Sequence, residues 1–350
     1  MKQLTQRQYN IYDFIRAKSL VSNSEIKKFL AETYDDVSRI TIVRDIEVLI
    51  NEKLIKKEGE GRSTKYRVYM NSSLLSYFDP QKYFLLEPDN REVKKSFNFN
   101  IFNDFSDIFS LKELKNLAQL TKKYTTNISS ISPDIFKKEI ERLTIELSWK
   151  SSQIEGNTYS LLDTEALIKE NREAPGHSKE EAIMILNHKT ALNYVFSSKI
   201  DYLEMSVRKI EDIHALLVQN LSVGFGVRNS LVSITGTNYR PLDNKQQIQE
   251  ALESSVGLIN AYEDPFHKAL VIIALISYIQ PFVDGNKRTA RLAGNAILNA
   301  FGACPLSYRS VDSVEYKKAM LFFYEQNSIA YLKELFIQQY EFSVNNYFLV

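Results

Sequence analysis

The chain has 350 residues, 44% hydrophobic and 25% charged, with 11 Gly and 8 Pro, which suits two globular domains and excludes a collagen-like or disordered chain. Formal net charge is +1, yet residues 1–70 hold 14 Lys and Arg against 10 Asp and Glu, so nucleic acid, if bound, is expected at that end. The longest apolar run, 269–279 (ALVIIALISYI), is shorter than the roughly eighteen residues of a membrane span, the single Cys304 excludes an internal disulfide or cysteine-based zinc cluster, and the N-terminus lacks an apolar h-region, so a soluble, cytoplasmic protein is expected.

Residues 5–17 (TQRQYNIYDFIRA) open on a capping Thr5 and set Ile11, Phe14 and Ile15 on one helical face. Ser24 is expected to cap EIKKFLAE, TYDDVS to turn the chain, and Ser38 to cap RITIVRDIEVLINEKLI with Ile42, Ile46 and Leu49 facing inward. In KKEGEGRSTKYRVY, Gly59 and Gly61 fall between two short strands. Three helices and a two-stranded wing within residues 1–70 resemble the winged helix-turn-helix, with SRITIVRDIEVLINEKLI as recognition helix. The resemblance implies Arg39, Thr41 and Arg44 in a major groove, with Arg62 and Lys65 at phosphates. The competing expectation is a small protein-docking domain with a solvated basic face.

Residues 71–110 mix aromatics with turn formers and read as a connector packed on the larger domain. From 111 to 350 apolar residues recur at helical spacing, through 135–150, 162–170, 180–197, 205–220, 245–262, 266–279, 287–301 and 312–342. One stretch differs: NSLVSITGTNYRPL (229–242) alternates β-formers around a Gly-containing turn and reads as a short hairpin.

Pro281 ends the apolar helix, and FVDGNKR makes a tight loop before a new helix expected to start at Arg288. A helix N-terminus with Gly285 at its mouth and Lys287, Arg288 and Arg291 close by is an anion cradle, with Asn295 on the same face. Asp284 stands ahead of it, and one carboxylate beside phosphate oxygens is a usual setting for Mg²⁺. By spacing alone, a helix-joining loop with a solvated basic turn fits equally well.

QPFVDGNKRTAR (280–291) resembles the Fic family signature HPFx[DE]GNxRxxR at every defined position except the first. In that family the loop binds the phosphates of ATP, the acidic residue holds Mg²⁺, and the histidine takes the proton of a target hydroxyl attacking the α-phosphate. The resemblance implies Asp284 on the metal, Gly285, Asn286, Lys287 and Arg288 around the phosphates, and Arg291 at the terminal phosphate. GVR (226–228) and the stretch after it look like the Fic flap, which holds a target protein by adding a strand to it. Gln280 stands where the family has its catalytic His, and a neutral amide cannot accept the proton, so catalysis is expected to be weak or absent. Lys287 replaces a common Gly and also occurs in Doc-type phosphotransferases. SSQIEGN (151–157) is similar to the family's inhibitory helix [ST]xxxE[GN], which implies that Glu155, with Ser151, pairs with Arg291 and displaces the γ-phosphate.

The expected fold is mainly α: a winged helix-turn-helix domain (1–70), a connector (71–110) and a Fic-type helical bundle (111–350) with a short β-hairpin flap. The expected function is ATP- and Mg²⁺-dependent transfer of AMP to a hydroxyl of a target protein, restrained by Glu155 and by the missing base. The alternatives are a DNA-binding regulator whose Fic-like domain senses nucleotide or mediates homo-oligomerisation, and a Doc-like phosphotransferase.

Overall fold

The computed structural model describes residues 4–18, 20–34, 37–52, 54–69, 73–76, 79–105 and 108–349, the side chains of Ala17, Arg62 and Lys199 excepted. Arg62, expected at phosphates, therefore has its side chain outside the described residues.

The N-terminal unit runs α1 (Gln6–Lys18), β1 (Val21–Ser22), α2 (Asn23–Thr33), α3 (Arg39–Asn51), β2 (Ile55–Glu58) and β3 (Lys65–Val68). Its strands form an antiparallel sheet in the order β1-β3-β2, with Val21 opposite Tyr66 and Ile55 opposite Val68. Ile11, Ile15, Ile26, Leu30, Ile42, Ile46 and Leu49 fill its core, placed there by the three- and four-residue spacing of each helix. Asp45 on the inner side of α3 accepts from Gln8 Nε2 at 3.0 Å and Arg7 Nε at 2.5 Å, which ties α1 to α3. The cap of α2 is Ser22, not Ser24: pairing with β3 keeps the chain extended through Ser22, which then closes a capping box with Glu25. The two-residue β1 carries too little alternation to be read from sequence.

The connector contains α4 (Pro80–Tyr83) and α5 (Ile101–Asp104) and lies on the larger unit, where the Lys94 amide donates to Glu325 O at 2.9 Å and the Asn98 amide to Tyr278 Oη at 3.1 Å. Ten helices follow: α6 (Leu111–Ser130), α7 (Pro133–Ile154), α8 (Leu161–Glu170), α9 (Lys179–Ser197), α10 (Val207–Val218), α11 (Lys245–Ala261), α12 (Pro265–Ile279), α13 (Asn286–Ala300), α14 (Ser313–Gln326) and α15 (Ala330–Asn346). The stretch 312–342 is two helices because Asn327 turns left-handed at φ 53° and its side chain accepts from Lys94 Nζ and Asn98 Nδ2, both at 3.1 Å. α12 is buried at every position from Phe266 to Ile279 and forms the axis of the bundle. Among the described residues, no helix is long and apolar enough to cross a membrane.

The 229–242 segment leaves the bundle and returns, turning at Thr235–Gly236, with no strand ladder of its own. Guanidinium groups take the carbonyls that a ladder would use: Arg228 donates to Ser230 O and Leu242 O, and Arg91 to Gly236 O. The one bridge here pairs Ser96 of the connector with Arg240.

α13 crosses α12 at Gly294, where an added Cβ would sit 2.7 Å from Ile273 Cδ1 and 3.3 Å from Ala269 O. Gly294→Ala is expected to cost ~1–3 kcal/mol by overpacking, read as a lower urea midpoint with unchanged slope.

Candidate functional site

The α12–α13 loop is built by its own side chains. α12 ends at Gln280 in the left-handed region (φ 52°), and α13 starts at Asn286, two residues before the expected Arg288, because Gly285 (φ 81°) takes the cap position. Asn286 closes the loop: its Oδ1 accepts from the Phe282 amide at 2.8 Å, and its Nδ2 donates to Phe282 O at 2.8 Å and Gln280 Oε1 at 3.0 Å. Gln280 Nε2 donates to Ser277 O at 2.6 Å, so its side-chain amide is occupied at both ends. Arg228 fastens the outside of the loop, its Nε donating to Gln280 O at 2.7 Å and its amide to Pro281 O at 2.9 Å.

This loop floors a cleft of about 370 Å³ lined by Glu155, Val232, Thr235, Gln280, Asp284 to Arg288, Lys317 and Tyr324, among others. Arg288 is 1% exposed, and its Nη2 donates to Asp284 Oδ2 at 2.9 Å while Nε and Nη1 have no partner. Lys287 Nζ lies 3.6 Å from Glu155 Oε2.

Arg291, fully buried, points to the end of α7 instead. Its Nε donates to Ser151 Oγ at 3.0 Å, Nη2 to Ser151 O at 2.9 Å and Nη1 to Glu155 Oε1 at 2.9 Å, while Tyr316 lies under the guanidinium, 5.4 Å from ring centre to carbon. Burial works to raise the Glu155 pKa, but the Arg291 and Lys287 charges outweigh it and hold the carboxyl below its ordinary value. Asn295 is not in the cleft: it is buried, and its side chain accepts from the Leu306 amide and donates to Leu306 O, which fixes the strand of chain after α13. Helical spacing put Asn295 on the Arg291 face, yet that face is turned into the bundle.

Folding brings two histidines near that the sequence left dispersed. His214 of α10 lies with Nε2 3.0 Å from Asp284 O and its ring stacked on Phe282 at 3.7 Å, behind the loop and outside the cleft lining. Burial lowers its pKa to about 4, the Asp284 carbonyl acting against the shift. His188 of α9 is fully buried, and burial reinforced by Arg291 and Arg288 lowers it to about 3. Neither was legible as a site residue, because each sits on an ordinary amphipathic helix far along the chain. Lys317 and Tyr324 of α14 likewise form the cleft's far wall with no local signal.

Among the described residues no cluster of three or more His, Cys, Asp or Glu is placed to hold a metal ion by protein groups alone. Asp284, 62% exposed at the side chain on the cleft rim, is the one loop carboxylate available to a cation that brings other oxygens with it. On the N-terminal unit Arg39, Arg44 and Lys65 are exposed, whereas Thr41 is half-buried and its hydroxyl lies 2.9 Å from Ser38 Oγ.

The histidines carry a pH prediction. Their folded pKa values of about 3 and about 4 lie below the ordinary 6.5, so the stability they contribute is complete above pH 6.5 and is lost as pH falls toward 4. The urea midpoint is expected to drop between pH 7 and pH 5, and His188→Gln to shrink that drop.

Residues 204–298 match the model of the Fic/DOC family. The chain is 31% identical over 192 residues to a protein adenylyltransferase Fic of Nematostella vectensis, covering 51% of this chain and 43% of that protein. It is 28% identical over 159 residues to protein adenylyltransferase fic-1 of Caenorhabditis elegans, covering 44% and 31%. The chain thus spans less than half the length of these curated relatives. In fold it is similar to the solved Fic-1 of C. elegans (TM-score 0.56, 21% identity, 67% of this chain and 69% of that chain). A Fic domain containing signaling protein of Bacteroides thetaiotaomicron is also similar in fold (TM-score 0.56, 20% identity, 66% and 94%).

Proposed function

We propose that this chain, which carries a Fic/DOC domain over residues 204–298, binds ATP in the α12–α13 cleft on a scaffold laid out to transfer AMP to a hydroxyl of a target protein. The observation that carries the reading is Arg288: a guanidinium almost without solvent contact, with two donors unpaired, faces a cleft at the N-terminus of α13. Such a group is costly unless a ligand brings acceptors, and phosphate is the acceptor a helix N-terminus favours. Lys287 and the amides after Gly285 serve the same phosphates.

In adenylyl transfer the hydroxyl oxygen bonds to the α-phosphorus, the bond to the β-phosphate oxygen breaks, pyrophosphate leaves, and the hydroxyl proton goes to a base. Bound Mg²⁺ would neutralise the phosphate charge, with Asp284 as its protein ligand. Gln280 has no nitrogen able to take the proton and its amide is already held by Ser277 and Asn286. Glu155 keeps Arg291 from a γ-phosphate and sets a negative charge beside it. ATP binding with little turnover is the resting behaviour this supports, and the target protein would dock along 229–242, where Leu231 is exposed.

Arg288→Ala is expected to weaken ATP about tenfold or more by calorimetry, the loss of charge-assisted bonds worth roughly 1.5–3 kcal/mol. Unchanged affinity would place the nucleotide elsewhere. In a cycle of four proteins, Gln280→His alone should give little adenylylation, Glu155→Gly alone tighter ATP without turnover, and the double variant strong labelling, seen as an AMP-sized mass increase. A silent double variant with Mg²⁺ and ATP would refute the transfer reading, and label arriving from γ-phosphate would make the chain a Doc-like phosphotransferase.

A second reading, a nucleotide-sensing DNA-binding regulator, is favoured by the exposed Arg39, Arg44 and Lys65 on α3 and the wing. The 350-residue chain should then bind mixed duplex DNA by fluorescence anisotropy with an affinity falling steeply with salt. Salt-independent binding, or none at low salt, would favour protein docking.

A further inference from the structure

Residues 88–98 of the connector run beside the descending limb of the 229–242 flap. Asn238 Nδ2 donates to Pro88 O at 3.2 Å and to Asp89 Oδ1 at 3.0 Å. Arg91 Nη2 donates to Gly236 O at the turn. The Arg240 amide donates to Lys95 O at 2.9 Å, within the Ser96–Arg240 bridge. At the base, the Tyr278 ring is stacked between Tyr239 of the flap and Phe97 of the connector, both at 4.7 Å, two residues before Gln280.

Arg91 is the only charged residue of this strap that is buried. Its side chain is 3% exposed, lies 3.4 Å from Glu325 Oε1 and is flanked by the rings of Phe84 and Tyr83 at 5.1 and 5.7 Å. Glu325, itself without solvent contact, spends its other oxygen on Tyr83 Oη at 2.6 Å. The guanidinium plane is therefore fixed by α14 and the connector before it reaches the flap, and the flap turn receives a donor whose position is already set. The ascending limb, Val232 to Thr235, forms one wall of the cleft and has no ladder to hold it.

We propose that Arg91 is a positioning residue for the nucleotide cleft: through Gly236 O it fixes the flap turn, and with it the wall Val232–Thr235, from the connector that leads to the N-terminal unit. The effect on ligand rests on the nucleotide reading, whereas the effect on the flap does not. A strap of this kind makes the position of the flap turn a property of the connector, so a change in how the connector lies reaches the cleft wall.

Hydrogen exchange of the full chain without nucleotide tests the flap step. Arg91→Ala should raise exchange of the flap's hydrogen-bonded amides, Tyr239 and Arg240, about tenfold, the loss of one charge-assisted bond, with α12 and α13 unchanged. Asn238→Ala, at a half-buried position, should raise it in the same segment by less and guards against misfolding of the first variant. Arg91→Lys restores a charge beside Glu325 but not the planar fork, so it should recover the thermal midpoint and leave the flap fast. Equal flap exchange in wild type and both alanine variants, or a uniform rise over the whole chain, would overturn the proposal. With ADP and ATP as probes, Arg91→Ala should weaken binding several-fold. Wild-type affinity in a variant whose flap exchanges fast would overturn the link to the cleft, while absence of binding to wild type would refute the nucleotide reading and leave the exchange result to decide the strap.

Discussion

A guanidinium sealed in a protein interior is costly unless its donors meet acceptors, and Arg291 finds all of its acceptors in one place, the end of α7. That requirement fixes the geometry of the site. It draws Ser151 and Glu155 against α13 from about a hundred and forty positions upstream and closes one end of the cleft with a carboxylate. Removing only the carboxylate would leave a buried cation seeking negative charge, which is the role a third phosphate would fill. Under the proposed function, an inhibitory contact and a phosphate site would thus be the same guanidinium with two competing partners.

The loop beside it is over-determined by contrast. Asn286 satisfies the Phe282 backbone twice and reaches Gln280, His214 holds Asp284 O from behind, and Arg228 grips Gln280 O and Pro281 O from outside. Gln280 sits in the left-handed region, a conformation costly for a side chain with a Cβ, and these bonds are what hold it there. An amide suits that position because it bonds as donor and acceptor at once, to Ser277 O and Asn286.

The helices were legible because their apolar spacing is strong, and the loop because DGNKRTAR compresses a left-handed glycine and three cations into a few positions. Two kinds of feature were not. Asn295 shares a helical face with Arg291, and spacing cannot tell whether that face looks into a cleft or into the bundle; here it looks inward. The 229–242 stretch alternates β-formers as a hairpin does, yet its carbonyls go to Arg91 and Arg228, partners whose approach depends on tertiary structure alone. His214, Lys317 and Tyr324 belong to the same class, since ordinary helical residues become site residues only once three helices meet.

The cleft therefore has a floor and a lid of different mechanical character. The floor is α12 and α13, buried along their length and in contact at Gly294, so displacing it disturbs the whole core. The lid is a loop whose backbone is held by a few guanidinium and amide side chains, each bond removable at a local cost. Changing the floor disturbs the packing of the whole core, whereas changing the lid or its strap loses bonds one at a time.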